Sequence, residues 1–319
     1  MTSTSNAIDD PFSEYRVIGK LTTREKADLL RELGDDEAAD TLEAASTETQ
    51  TKSLFGGWAG GQHKLEPWQH TSHTFGFLPA GPASNEPLAL YNAAQIRPDR
   101  SLRDTPVTIR LDKLRVAGYP GKGVHRILFD FYARNALEDG QQEHLHYNAT
   151  FRAREGQEAA VVGLPVFVNL NVGELGLAFK CNTVNVANEG SQKALDVLES
   201  DLVRSGLELA KSAQPAIGPL SQIAMGLTKA ILGVHKNVRV QEFELGLDLD
   251  DASTGARLAE GSYFALQVDD AATWDWSQWV WHPSRARLTK PADVFFLPGA
   301  QSNRLDVQLH AFPTRVYQE

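Results

Sequence analysis

The chain has 319 residues, 42% of them hydrophobic and 23% charged, with a net charge of −10 and a single cysteine. That is the composition of a globular protein with ample apolar residues for a core. The acidic balance argues against general nucleic-acid binding, which needs a concentrated positive field, and the lone Cys181 rules out an intrachain disulfide or a cysteine-rich metal site.

The first 20 residues lack the apolar run of a secretory signal, and no stretch reads as a constitutive transmembrane helix. With the cysteine usage, this leads to the expectation of a cytoplasmic protein. Residues 1–50 carry 5 Lys/Arg against 12 Asp/Glu. Within them, 21–33 reads as a helix capped by Thr22 or Thr23, with Leu29, Leu30 and Leu33 as its apolar edge, and Gly34 ends it. A second short helix is predicted over 35–45, so this part is expected to form a small acidic helical hairpin.

Residues 51–106 are rich in Gly, Pro, Ser, Thr and Asn and read as a connector wrapped over the body, with short strands near 73–78 and 88–91. From residue 107 the period becomes that of strands. Ile127, Phe129, Phe131 and Ala133 alternate against Arg126, Leu128, Asp130 and Tyr132. Further strands are predicted over 107–116, 144–154, 161–171, 175–186, 238–249, 256–268, 276–281, 293–297 and 304–312. Short turns join most of them, and there is no strand–helix alternation. The predicted fold is mainly β: an antiparallel β-sandwich over 107–319, C2-like by architecture only, with a two-helix insertion at 190–234.

In that insertion, Leu195, Leu198, Leu202, Gly206, Leu209 and Ala213 recur at helical spacing from Ser191 onward. A second helix follows Pro215, with Ile217, Leu220, Ala224, Leu227, Ile231 and Val234 on one stripe and Lys229 its only charge. A helix apolar on nearly all sides is buried or meets lipid, so Ile217, Leu220, Ile223, Leu227 and Ile231 are candidate membrane or partner contacts.

Candidate chemistry is scattered. His144 and His146 share a strand face at a metal-ligand spacing, but a hairpin turn at 138–142 puts His125 at the far end of the pair. His63, His70 and His73 lack the glutamate of a metalloprotease signature. Asp248, Asp250 and Asp251 offer hard oxygens for Ca²⁺, the one cofactor considered, yet a 238–268 hairpin puts Asp269, Asp270 and Asp275 at its other end. Trp274, Trp276, Trp279 and Trp281 are expected to fill a sheet edge, and Cys181 to be an inert buried thiol. Gly118, Gly121, Lys122 and Gly123 have the composition of a phosphate loop without its spacing. No catalytic motif converges. The expected function is a non-catalytic adaptor that recruits a protein partner. The alternatives are a membrane-active, pore-forming type of effector that releases 190–234 on a trigger, and a metal-dependent hydrolase or glycan-binding module.

Overall fold

The computed structural model describes residues 10–54, 65–81, 85–136, 142–154, 163–186, 207–208, 217–251, 255–285, 287–290, 308–310 and 317–318. These residues are mainly β, in antiparallel sheets with three helices. The strands are β1 (Ser72–Pro79), β2 (Leu88–Ala89), β3 (Tyr91–Asn92), β4 (Pro106–Leu111), β5 (Val124–Ala136), β6 (Gln142–Arg154), β7 (Leu164–Asn171), β8 (Gly176–Asn185), β9 (Leu207–Glu208), β10 (Val238–Asp248), β11 (Ala256–Arg257), β12 (Gly261–Val268), β13 (Val280–His282), β14 (Arg287–Thr289), β15 (Gln308–His310) and β16 (Tyr317–Gln318). The helices are α1 (Thr23–Glu32), α2 (Asp36–Leu54) and α3 (Ile217–Leu232).

The largest sheet has the order β11-β10-β8-β5-β6. Its spine is the β5–β6 hairpin, paired without a break from Val124↔Arg154 to Ala136↔Gln142. The strict alternation of β5 buries Ile127, Phe129, Phe131 and Ala133 in the main core, together with Phe179, Cys181, Phe243 and Leu245 from β8 and β10. This inner face meets a second sheet, β15-β12-β1-β3, where Phe243 packs on His73 and Phe75 at ring distances of 5.2 and 5.9 Å. It also meets a third sheet, β16-β4-β7-β9, through Phe167 stacked near Phe179. Gly176 is required where β8 begins: its φ is +110°, and a Cβ there would lie 2.0 Å from the Leu247 carbonyl oxygen.

The predicted hairpin at the start of the chain is present. Thr22 caps α1 in a capping box with Glu25, and Gly34 at φ +78° ends it. Arg31 ties the helices together through Asp40 (2.9 Å) and Glu43 (2.8 Å). Helix α2 runs on to Leu54, nine residues beyond the expected 45. The hairpin is seated on the body, with Ala27, Leu30 and Ala39 in the same core as Trp68, Phe77 and the sheet residues. The stretches 1–50, 51–106 and 107–319 thus feed one core. The stretch read as a connector supplies β1, which pairs with β12 from Ser72↔Val268 to Pro79↔Gly261.

Two expectations change. The helix predicted from Ser191 lies mostly outside the described residues, Leu202 included. Leu207–Glu208, however, is strand β9, running parallel to Phe167 and Val168 of β7. There, ladder hydrogen bonds along an open sheet edge override the helical period. The segment around the tryptophans is not an extended strand from 276. Asp270 and Asp275 cap short 3₁₀ turns at Ala271–Thr273 and Trp276–Gln278, and strand begins only at Val280. Trp276 lies on Gly76 of β1, where a Cβ would sit 2.4 Å from the ring, and its Nε1 donates to Thr74 Oγ1. Trp274 stacks on Trp279 at 4.8 Å.

Candidate functional site

Alternation puts one set of side chains into the core and the other on the opposite, outer face of the largest sheet. There the cross-strand register aligns polar groups into rows. Glu242, Asn182, Asp130 and Asn148 are neighbours across β10, β8, β5 and β6, and Lys180, Tyr132 and His146 form the adjacent row. A β-bulge between Arg239 and Gln241 sets Arg239 opposite Val184. Asp130, Asn148, Asn182, Lys180, His146 and Arg239 are all buried. Sheet faces in contact with water do not bury such groups; two covering elements do so here.

Over β5 and β6 lies α3. It begins two residues before Pro219, whose missing N–H falls among the helix's unpaired first-turn donors, and it ends where the Asn237 side chain donates to the Ile231 carbonyl. Its seat is polar. Ser221 Oγ donates to the His144 carbonyl and accepts from His146 N–H at 3.0 and 2.8 Å. Asn148 Nδ2 donates to Ala224 O and Thr228 Oγ1, and Thr228 Oγ1 donates to Asp130 Oδ2 at 3.0 Å. Apolar packing adds to this: Ile231 and Leu232 of the last turn lie on Leu128, Val184 and Val186, and Met225 and Leu227 pack against the same cluster.

Over β8 and β10 lies a strap, residues 10–18. Arg239 is 2% exposed and anchors it. Its Nη1 donates to the Phe12 and Tyr15 carbonyls, and its Nη2 to Asp10 Oδ2 and Asn182 Oδ1. Lys180 lies 3.7 Å from Asp10 and 3.2 Å from Glu242. Partial burial would raise the Glu242 carboxyl, but Arg239, Lys180 and Lys20 outweigh that and hold it down to about 2. Phe12 joins the two covers: it packs with Ile231 and Leu232 and sits edge-on to His146 at 6.0 Å. Among the described residues, Asp130 Oδ1, Asn148 Oδ1, Asn182 Nδ2, His146 Nδ1 and Arg239 Nε are buried without a hydrogen-bond partner.

The sequence-predicted candidates are dispersed. His146 is in this patch, 3.6 Å from Asp130, whereas His144 is exposed and paired with the Tyr132 hydroxyl. His125 faces Ala153 at the far end of the hairpin. His70 is buried 3.6 Å from Asp269, and burial lowers His73 to about 4 against Phe243. His63 lies outside the described residues. Asp251 is bound to Arg100 at 2.7 Å, and no group of three metal-ligating side chains that includes Asp248, Asp250 or Asp251 forms among the described residues. Lys122 reaches Asp35 and Glu37 of the hairpin, so the glycine-rich turn clamps a helix start. Burial raises the Cys181 thiol well above its usual range. Of the candidate membrane or partner contacts, Ile231 is buried, Leu227 half-buried and Ile223 54% exposed; the side chains of Ile217 and Leu220 lie outside the described residues.

Asp130, Lys180, Asn182 and Arg239 carry the site, and none is a sequence-level candidate. Their signal is a polar residue among the outward positions of a strand whose inward positions are largely apolar, and it converges only once the register is known. The chain matches no family model, no curated protein and no solved structure.

Proposed function

We propose that this is a non-catalytic interaction protein that recruits a protein partner through the outward face of α3, its body an antiparallel sandwich, C2-like in architecture. One observation carries the reading: α3 turns Ser221 and Thr228 toward the sheet and leaves Ile223 54% exposed beside exposed Gly226 and Ala230. A large apolar side chain on a flat face of small residues suits close approach by an apolar surface of another chain. A photo-crosslinking residue in place of Ile223 is expected to give one saturable adduct in native extract, competed by the unlabelled chain and not by Ile223→Asp. Equal labelling from exposed Val124, or no competition, would overturn the reading.

A second reading, membrane contact, draws on the polar seat: lifting α3 uncovers the hydrogen-bonding groups of His144, His146, Asn148 and Asp130. The 16-residue helix is about 24 Å long, short of the roughly 30 Å hydrocarbon core, so it would lie in the interface. No helix of the described residues is long and apolar enough to cross a membrane. Flotation with anionic liposomes separates the two: the chain stays at the bottom on the first reading and floats on the second.

A further inference from the structure

The strap is held as a groove holds a bound peptide. Three features are recognised within six residues. The Asp10 carboxylate meets Arg239 Nη2 at 3.1 Å and Lys180 Nζ at 3.7 Å. The carbonyls of Phe12 and Tyr15 accept from Arg239 Nη1 at 2.7 and 2.8 Å. The Phe12 ring fills a slot lined by Leu128, Val184, Val186, Ile231 and Leu232. The strap shapes itself for this with two local bonds, Phe12 N–H to Asp10 Oδ1 and Tyr15 N–H to the Phe12 carbonyl, both 2.9 Å. An arginine fork reading main-chain carbonyls and a carboxylate beside an aromatic slot is a short-peptide recognition device.

We propose that this groove is a peptide-binding site, filled in cis by residues 10–15, that takes in trans a segment of another protein with a carboxylate two residues ahead of a phenylalanine. Charge sets the ligand class. With the strap out, Arg239 and Lys180 lose the Asp10 carboxylate and keep Glu242 at 3.4 and 3.2 Å, so a replacement that brings an anion restores the balance. Donor capacity is already unspent, because Asn182 Nδ2 and Arg239 Nε are buried without hydrogen-bond partners among the described residues. An isolated phosphate satisfies the cations but leaves the aromatic slot empty. A peptide satisfies both. The tethered strap competes at an effective concentration on the order of millimolar, which makes the groove autoinhibited at rest. This inference does not rest on the partner proposed for α3.

The test is fluorescence anisotropy with a labelled synthetic peptide of residues 6–18 and the full-length chain. The Asp10→Asn, Phe12→Ala double variant, which weakens the cis strap, is expected to bind the peptide saturably and the wild-type chain at least about tenfold more weakly. Replacing Phe12 by Ala in the peptide is expected to cost at least about tenfold, and replacing Asp10 by Asn a smaller loss. These peptide changes leave the protein's folding untouched. A double variant with a native circular dichroism spectrum that ignores the peptide, or binds the Phe12→Ala peptide equally, would overturn the proposal. Should the double variant fail to fold, Phe12→Ala alone takes its place with the same two outcomes. A strap-exchanged dimer in light scattering would support it, since the same segment then enters the same groove in trans.

Discussion

The two faces of one sheet solve burial in opposite ways. The inner face of β5, β8 and β10 excludes charge: Phe129, Phe131, Phe179 and Phe243 fill it, and His73, packed against Phe243, is held neutral by burial. The outer face buries charge and pairs it. Arg239, Lys180, Asp10 and Glu242 lock together, and Asp130 and Asn148 bond to α3. An apolar face holds whatever covers it with little regard to geometry. A polar face holds only covers whose donors and acceptors match, which makes it selective and, given a matching competitor, exchangeable.

Substitutions on each face sharpen this contrast. Phe129→Ala on the inner face is expected to cost about 3–5 kcal/mol in urea unfolding, through lost burial and the cavity left behind. Arg239→Met on the outer face is expected to cost about 2–4 kcal/mol despite its similar volume, because Asp10 and two carbonyls lose their donor. A neutral result there would erase the contrast.

Acid should act through the inner face. His73 has its folded pKa depressed to about 4 from 6.5, so it favours the folded state above pH 6.5 and that contribution is lost as pH falls through about 4. Stability is therefore expected to drop by about 3 kcal/mol between pH 7 and pH 4, and His73→Phe should remove most of that slope in denaturant melts taken across the range. The smallest effect belongs to the helix seat. Thr228→Val leaves Asp130 Oδ2 and Asn148 Nδ2 short of a partner and is expected to cost about 1–2 kcal/mol, with faster amide exchange confined to α3.

The inner face was legible in the sequence because alternation in a single strand reveals it. Ile127, Phe129, Phe131 and Ala133 need no knowledge of their neighbours. The outer site was not, because Asp130, Asn182 and Glu242 lie far apart in the chain and meet only through the pairing of three strands. Helix α3 was legible as a helix, but not its orientation. Its apolar residues run nearly all round the cylinder and give no orientation; the small polar groups of Ser221 and Thr228 take the sheet side because they bond to Asp130, Asn148 and the β6 backbone. The acidic start of the chain is legible as a small helical hairpin, but not where it sits. Its carboxylates are partly spent on Arg31 and Lys122, which fasten the hairpin internally and to the body.

Phe12 belongs to both covers at once, and linkage makes that symmetrical. Strap release that leaves the Phe12 slot empty loosens the last turn of α3 by some factor, and anything that engages α3 in a loosened form must favour that release by the same factor. The two coverings therefore report on each other across a single ring, so a probe attached to either one reads the occupancy of both.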